Sequence, residues 1–230
     1  MITTILWDVD GTLLDFHYSQ RKALVKCFES AGLSITDEII ERYSAINDDY
    51  WRRLELGEIT REQLLNGRFI SLFEIYGIEG VDVDAFRKKY QYWLGNIYAY
   101  IDDSLHVCKS LQAKVEQYVI TNGVSSTQRT KLKLSGLANY MKELFISEEI
   151  GANKPDKAFF DVVLERLSEK NRDRILVVGD SLSSDIKGGI NAGLKTCWYH
   201  NCGVKNESPW QSDYEITDLA QLEMILKNIP

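Results

Sequence analysis

Short apolar segments alternate with amphipathic helical segments along much of this 230-residue chain, and this alternation restricts the possible folds more than any other feature. The first segment, Ile2–Trp7, is β-branched and apolar and is followed by Asp8. This composition predicts a strand that is buried on both faces. Alternating strands and helices form a parallel sheet covered by helices on both sides. We therefore expect an α/β fold with a doubly wound, Rossmann-like parallel sheet.

The alternation beyond residue 102 predicts four more strands and four helices. The expected strands are Gln117–Thr121, Leu144–Ser147, Arg174–Gly179 and Lys195–Tyr199. The expected helices are Ser104–Ala113, one that starts at Ser125, Ala158–Leu167 and one near Ser183–Ala192. Ser125 and Gln128 have the spacing of a helix cap, and we expect them to cap the second of these helices.

The stretch between the first two strands has a helical pattern throughout. Apolar residues recur there at helical spacing in four separate segments. Thr60 and Gln63 have the spacing of a capping box at the start of the third segment. No strand pattern interrupts this stretch, so we expect it to form a helical insertion.

The insertion predicts two domains, one of them discontinuous. We expect an α/β core made of residues 1–15 and 102–230, and a helical cap made of residues 16–101. The joints near Leu14–His17 and Tyr100–Asp103 are expected to act as hinges. Such a cap could close over a ligand, exclude water and supply selective contacts.

The charge of the chain narrows the range of partners. Its 27 Lys and Arg residues and 34 Asp and Glu residues give a net charge of −7. A chain with no basic surplus is a poor ligand for polymeric nucleic acid or an anionic membrane.

No apolar run approaches the ~20 residues of a membrane-spanning helix, and Asp8 and Asp10 fall where a signal peptide is apolar. We expect a cytoplasmic protein, either a monomer or a homodimer.

Polar residues follow the predicted strands at the edge where open parallel sheets bind ligands. Asp8 follows the first strand and Asp10 lies two residues later, in the sequence DVDGT. An Asp carboxylate can attack phosphorus and form an aspartyl-phosphate, and a second carboxylate nearby can donate and accept protons. The same tripeptide recurs at Asp82–Asp84, but there it opens a helix, where capping is expected. The position after a strand therefore carries the prediction.

Three further groups share this edge. Thr121–Gly123 offers a hydroxyl, an amide and a backbone N–H to a phosphate oxygen, although a turn cap would use the same groups. Lys154 lies in a loop before a helix, and Asp180 and Asp185 flank the turn after another strand. Together with Asp8 and Asp10, these acids place four carboxylates close together, which raises the pKa of at least one unless a cation is present. A hard, oxygen-ligated ion such as Mg²⁺ relieves that repulsion.

The stretches DVDGTLLD, ITNG, NKPD and GDSLSSDI resemble, in order, the four motifs of the haloacid dehalogenase superfamily of phosphohydrolases. The resemblance covers roughly Ile2–Asp15 and Ser104–Tyr199, and the inserted helices look like the family's small helical cap of the C1 type. The longer stretches WDVDGTLLDF, ISEEIGANKP and GDSLSSDIKGGINAGLKTCW look closest to the bacterial pyrimidine 5′-nucleotidases of the YjjG type.

The resemblance implies Mg²⁺-dependent hydrolysis of a phosphomonoester through an aspartyl-phosphate. Asp8 would be the nucleophile, Asp10 would be the general acid and base, and Lys154 would hold Asp8 and the phosphoryl charge in register. The phosphate-binding groups would be Thr121, Asn122 and Gly123. The Mg²⁺ ligands would be Asp8, the main-chain carbonyl of Asp10, Asp180 and, directly or through water, Asp185.

The expected substrate is a small phosphorylated metabolite, and the leading expectation is a pyrimidine nucleoside monophosphate. A sugar phosphate, an N-acyl-sugar phosphate, a phosphomutase activity and a receiver-like signalling module remain alternatives. A receiver would lack both the second acid and the helical insertion. Candidate substrate contacts are Phe16, Asn47, Tyr50, Trp51 and Arg68. The aromatic residues could equally belong to the core of the helical domain, and the arginine could form a surface ion pair.

Overall fold

A single parallel sheet organises the computed structural model, which describes residues 1–228. Its strands are β1 (Thr4–Trp7), β2 (Glu116–Thr121), β3 (Leu144–Ile146), β4 (Ile175–Gly179), β5 (Lys195–Tyr199) and β6 (Tyr214–Ile216). Their order is β3-β2-β1-β4-β5-β6, and every neighbouring pair is parallel. The predicted doubly wound α/β fold is confirmed.

The register of the sheet brings three strand ends together. Trp7 at the end of β1 pairs with Val119 of β2 and with Val178 of β4. Asp8 follows directly, and its N–H donates to the carbonyl of Val178 at 2.9 Å. The residues that follow β1, β2 and β4 therefore meet at the carboxyl edge of the sheet, as expected of parallel strands.

The described chain forms two compact units. The sheet unit consists of residues 1–16 and the chain from Tyr98 onward, and the helical unit consists of residues 17–97. These boundaries fall at 16/17 and 97/98, near the expected 15/16 and 101/102. The role of the helical unit as a cap, and of the joints as hinges, stays a prediction.

Four helices make up the helical segment: α1 (Phe16–Ser30), α2 (Asp37–Glu55), α3 (Arg61–Tyr76) and α4 (Val83–Asn96). Aromatic rings of α2, α3 and α4 form its core, with Phe69 within 5.3 Å of both Tyr43 and Tyr90 between ring centroids. The predicted capping box is confirmed, because Thr60 and Gln63 each bond the other's backbone N–H. Asp82 caps α4, as its position at a helix start indicated.

Six helices accompany the sheet: α5 (Ser104–Leu111), α6 (Ser125–Leu134), α7 (Ser147–Ile150), α8 (Lys157–Arg166), α9 (Lys187–Asn191) and α10 (Leu222–Asn228). Alternate strand residues point to opposite sides of the sheet, so each side of the sheet has its own apolar core. Trp7 and Val178 belong to one apolar core, whereas Leu6 and Val177 belong to the other. Among the described residues, no helix is both long and apolar enough to cross a bilayer.

The predicted helix near Ser183–Ala192 is present: it starts as a turn of π-helix at Leu182–Ile186 and continues into α9. One local expectation was wrong. Ser125 does not cap α6: it is the first helical residue, and its N–H is instead bonded by the Glu148 carboxylate at 2.6 Å. The strand β6 and the helix α10 were not among the elements that the sequence pattern predicted.

The capping box gives a stability prediction for the helical unit. Thr60→Ala removes the oxygen that accepts the Gln63 N–H, so we expect the free energy of unfolding to fall by about 1 kcal/mol. Thr60→Ser keeps that oxygen and should stay within a few tenths of a kcal/mol of the parent protein. Urea unfolding followed by circular dichroism measures both. Equal stability of Thr60→Ala and the parent would contradict the assignment.

Candidate active site

A buried lysine lies at the centre of the acidic residues that follow the strands. Lys154 Nζ donates to Asp8 Oδ1 at 2.7 Å, to Asp185 Oδ1 at 2.6 Å and to the Ile120 carbonyl at 3.0 Å. Its side chain is only 2% exposed, and that of Asp185 only 1%. All three ammonium hydrogens therefore have acceptors, and two of these acceptors are carboxylates.

The third acid approaches from the other side, where the backbone leaves room for it. Gly11 has φ +96°, and a Cβ on it would lie 2.4 Å from Asp180 Oδ2, so both the turn and the close approach require glycine. The Thr12 hydroxyl lies 3.2 Å from Asp8 Oδ2 and 3.3 Å from Asp180 Oδ1, and accepts the Asp180 N–H at 3.1 Å. Thr12 thus links the turn after β1 to the turn after β4.

These three acids form the carboxylate cluster, defined as Asp8, Asp180 and Asp185. One oxygen of each lies within 4.8 Å of an oxygen of the other two. Three carboxylates and one ammonium leave two negative charges uncompensated. Close oxygen ligands with excess negative charge suit a hard divalent cation, so the residues present fit Mg²⁺.

Crowding and burial change the proton affinity of the cluster. Burial raises the pKa of Asp8 to about 7; the charge of Asp185 adds to this and that of Lys154 opposes it. Asp180 is exposed as a residue, yet desolvation of its carboxylate and the charges of Asp8 and Asp185 raise its pKa well above the ordinary value. Burial lowers the pKa of Lys154, but the charges of Asp185 and Asp8 outweigh it and raise that pKa. Without a bound cation, the cluster is therefore short of positive charge.

The residues after β2 support the lysine loop. Asn122 Nδ2 donates to the Lys154 carbonyl at 2.9 Å, and the Lys154 N–H donates to Asn122 Oδ1 at 2.8 Å. The Gly123 N–H donates to Thr121 Oγ1 at 3.1 Å. Asn122 therefore holds Lys154 in place, and the Gly123 N–H expected to be free is already bonded. Phosphate binding by Thr121, Asn122 and Gly123 stays a prediction.

Asp10 has partners of its own, separate from the carboxylate cluster. Lys131 Nζ donates to Asp10 Oδ1 at 2.6 Å, and Gln128 Nε2 donates to Asp10 Oδ2 at 2.5 Å. Gln128 therefore contacts an acid of the site and not the N-terminus of α6, where we expected it to act as a cap. Its approach depends on Gly123, where a Cβ would lie 2.2 Å from Gln128 Nε2.

Sequence reasoning missed Thr12, Gln128 and Lys131 as site residues. A signal for two of them exists on α6. Its buried residues are Thr127, Gln128, Lys131 and Leu132. An amide and an ammonium on the inward face of a short helix need polar partners, and the acids after β1 are such partners.

The candidate substrate residues fall in both units. Phe16 belongs to the sheet unit, where its ring centroid lies 5.9 Å from Lys131 Nζ. In the helical unit, Arg68 Nη1 donates to Asn47 Oδ1 at 2.6 Å, and both residues are 1% exposed. The alternative of a surface ion pair for Arg68 is therefore wrong.

The two remaining candidates, Tyr50 and Trp51, are half-buried on α2. The Tyr50 hydroxyl lies 3.0 Å from Ser71 Oγ. Tyr50 thus contributes to packing between α2 and α3. Substrate contact by Asn47, Tyr50, Trp51 or Arg68 stays a prediction.

The chain is similar to known proteins over nearly its whole length. A family model described as haloacid dehalogenase-like hydrolase matches residues 2–193. The chain is 39% identical to the HAD-hydrolase YfnB of Bacillus subtilis, over 97% of this chain and 94% of that protein. A crystal structure of YfnB bound to magnesium, in which interdomain movement is described, has a TM-score of 0.93 at 38% identity and covers 99% of both chains.

Two other relatives have names that state an activity. The pyrimidine 5′-nucleotidase PynA of Streptococcus pneumoniae is 32% identical over 98% of this chain and 95% of its own length. The pyrimidine 5′-nucleotidase YjjG of Escherichia coli is 34% identical over 96% of each chain.

The raised pKa of Asp8 predicts a pH-dependent stability in the absence of divalent ions. A group whose pKa is higher in the folded than in the unfolded protein contributes stability at low pH and loses it as the pH rises through the folded value. In EDTA, the free energy of unfolding of the parent should fall relative to that of Asp8→Asn between about pH 4 and pH 8, by a few kcal/mol. Added Mg²⁺ should reduce this difference, because it binds the ionised cluster.

Urea unfolding at several pH values, with EDTA or Mg²⁺, measures this dependence. Asp161→Asn on α8 is a charge-matched control at an exposed acid. A difference between parent and Asp8→Asn that does not change with pH would contradict the raised pKa.

Proposed function

The chain belongs to the haloacid dehalogenase-like hydrolase family, and from this premise we propose that it is a Mg²⁺-dependent phosphatase acting through an aspartyl-phosphate on pyrimidine nucleoside 5′-monophosphates. The carboxylate cluster around Lys154, with Asp10 two residues after Asp8, carries the chemical part of the proposal. The two relatives named pyrimidine 5′-nucleotidases, similar over nearly the whole chain, support the substrate class.

The first half-reaction transfers the phosphoryl group to the enzyme. The carboxylate of Asp8 attacks phosphorus, the bond to the ester oxygen breaks, and the leaving alkoxide takes a proton from Asp10. Lys154 holds Asp8 in a fixed orientation and adds a positive charge next to the reacting oxygens. Positioning and charge neutralisation supply most of the rate in phosphoryl transfer.

The second half-reaction regenerates the enzyme. Water attacks phosphorus, the bond between phosphorus and the Asp8 oxygen breaks, and inorganic phosphate leaves. Asp10 accepts the proton that the water loses. The same side chain therefore acts as acid in the first step and as base in the second.

Asp8, Asp180 and Asp185, with the main-chain carbonyl of Asp10, are the groups that would hold Mg²⁺. When bound, the ion would offset the excess negative charge of the cluster and polarise the phosphoryl oxygens. The magnesium bound in the YfnB crystal structure supports this choice of metal.

Selectivity for the base is assigned to residues outside the cluster. Phe16 is an aromatic residue of the sheet unit near Lys131, one partner of Asp10, and it offers a ring on which a base could stack. Asn47, Tyr50, Trp51 and Arg68 are proposed as further contacts from the helical unit.

A substrate panel tests the proposed activity. With Mg²⁺, dUMP and dTMP should be hydrolysed at least about tenfold more efficiently than purine nucleotides or sugar phosphates. EDTA should remove the activity and Mg²⁺ should restore it. Turnover that does not need a divalent ion would contradict the chemical proposal, and activity confined to sugar phosphates would contradict the substrate class.

Asp8→Asn is the variant that tests the nucleophile. It removes the attacking carboxylate with little change in volume, so turnover should be abolished while the circular dichroism spectrum is kept. Substantial remaining activity would contradict the assignment. A phosphorylated parent protein that persists instead of turning over would favour the receiver-like alternative.

A further inference from the structure

The helix α6 directs a buried amide and a buried ammonium towards Asp10. The two residues that carry these groups do not belong to the motifs that predicted the site. Lys131 and Gln128 are 0% and 1% exposed, and each donates to a different oxygen of the Asp10 carboxylate. Burying an ammonium is costly unless a charged partner compensates for it, and Asp10 is that partner. This ion pair is distinct from the one that Lys154 makes with the carboxylate cluster.

In the orientation that contacts Asp10, the side-chain amide of Gln128 leaves one of its own polar atoms without a hydrogen bond within residues 1–228. Among the residues that the structure describes, no hydrogen-bond partner is present for its buried Oε1 atom. A buried acceptor without a partner destabilises the fold. Gly123 also has to lack a side chain for Gln128 to reach Asp10. These two features indicate that the contact with Asp10 determines the orientation of Gln128.

The helix that carries both residues is held at both ends within the sheet unit. At its start, the Ser125 N–H donates to Glu148 Oε2 at 2.6 Å. At its end, the Tyr98 hydroxyl donates to the Leu134 carbonyl at 3.0 Å and the Tyr100 hydroxyl donates to the Ser135 carbonyl at 2.6 Å. A helix fixed in this way can hold a side chain to the tolerance that proton transfer needs.

We infer that Lys131 and Gln128 are positioning residues that hold Asp10 as the proton acceptor for hydrolysis of the aspartyl-phosphate. Each oxygen of Asp10 accepts a hydrogen bond from α6, so the orientation of its carboxylate is fixed relative to the site. In that step, water forms a bond to phosphorus, the bond from phosphorus to Asp8 breaks, and the water proton moves to Asp10. The inference rests on the proposed function and specifies which half-reaction α6 supports.

The inference predicts a particular change in steady-state kinetics. For p-nitrophenyl phosphate, whose leaving group needs little protonation, kcat/KM reports phosphoryl transfer to Asp8 and does not depend on later hydrolysis. If Lys131→Met slows only the hydrolysis, kcat should fall by about 10²-fold, KM should fall with it, and kcat/KM should change little. Phosphorylated enzyme should accumulate, and acid quenching during turnover measures it.

Two further variants make the test specific. Lys133→Met removes an equal charge from an exposed position of α6 and is the matched control, with expected parent kinetics. Gln128→Met keeps the side-chain volume, removes the unpaired acceptor and should give the same pattern as Lys131→Met with a smaller fall in kcat. It keeps the inference testable if Lys131→Met does not fold.

The outcomes separate the inference from the proposed function. A parent enzyme that hydrolyses p-nitrophenyl phosphate, with variants that accumulate phosphoenzyme at unchanged kcat/KM, supports both. An active parent whose variants lose kcat and kcat/KM equally, or match Lys133→Met, would overturn the inference and leave the proposed function standing. A parent that hydrolyses neither p-nitrophenyl phosphate nor dUMP would overturn the proposed function and, with it, this inference.

Discussion

The interaction on which the site depends is the contact of one buried ammonium with two carboxylates, while a third carboxylate lies beside them. Lys154 forms ion pairs with both Asp8 and Asp185, and Asp180 completes the carboxylate cluster. Burial raises the pKa of Asp8 to about 7, and the charge of Asp185 adds to this while that of Lys154 opposes it. The cluster therefore has the composition of a cation site whose remaining charge a divalent ion would supply.

The surrounding structure is arranged to keep these charges close. Gly11 leaves space for the Asp180 carboxylate, and Asn122 bonds both the N–H and the carbonyl of Lys154. The register of β1 with β2 and β4 brings the corresponding turns to one edge of the sheet. Asp10 lies only two residues from Asp8, yet it is balanced separately by Lys131. Two acids with separate counter-charges can take different chemical roles, as the proposed nucleophile and the proposed acid and base do.

Much of this arrangement could be predicted from the sequence, for a physical reason. Asp8, Asp10, Asp180 and Asp185 follow strands, and parallel strands bring such residues to a common edge. The capping residues Thr60 and Asp82 were equally predictable, because a helix cap depends on local spacing.

The contacts that sequence reasoning missed depend instead on tertiary structure. Gln128 has the spacing of a cap residue, but its partner, Asp10, lies 118 residues away in the chain. Arg68 was placed at the surface in one alternative, whereas Asn47 and the rings of Phe69 and Tyr90 enclose it. The three-residue strand β6 is too short for a reliable alternating pattern.

The most direct test of the proposed chemistry is trapping of the intermediate at Asp8. The enzyme would be quenched during turnover of dUMP with Mg²⁺ and treated with borohydride, which reduces an acyl phosphate to the alcohol. Mass spectrometry of the peptide that contains residues 2–15 would then locate the change. We predict conversion of Asp8 to homoserine, dependent on both substrate and Mg²⁺. Turnover without modification of Asp8, or modification of a different residue, would contradict the proposed mechanism.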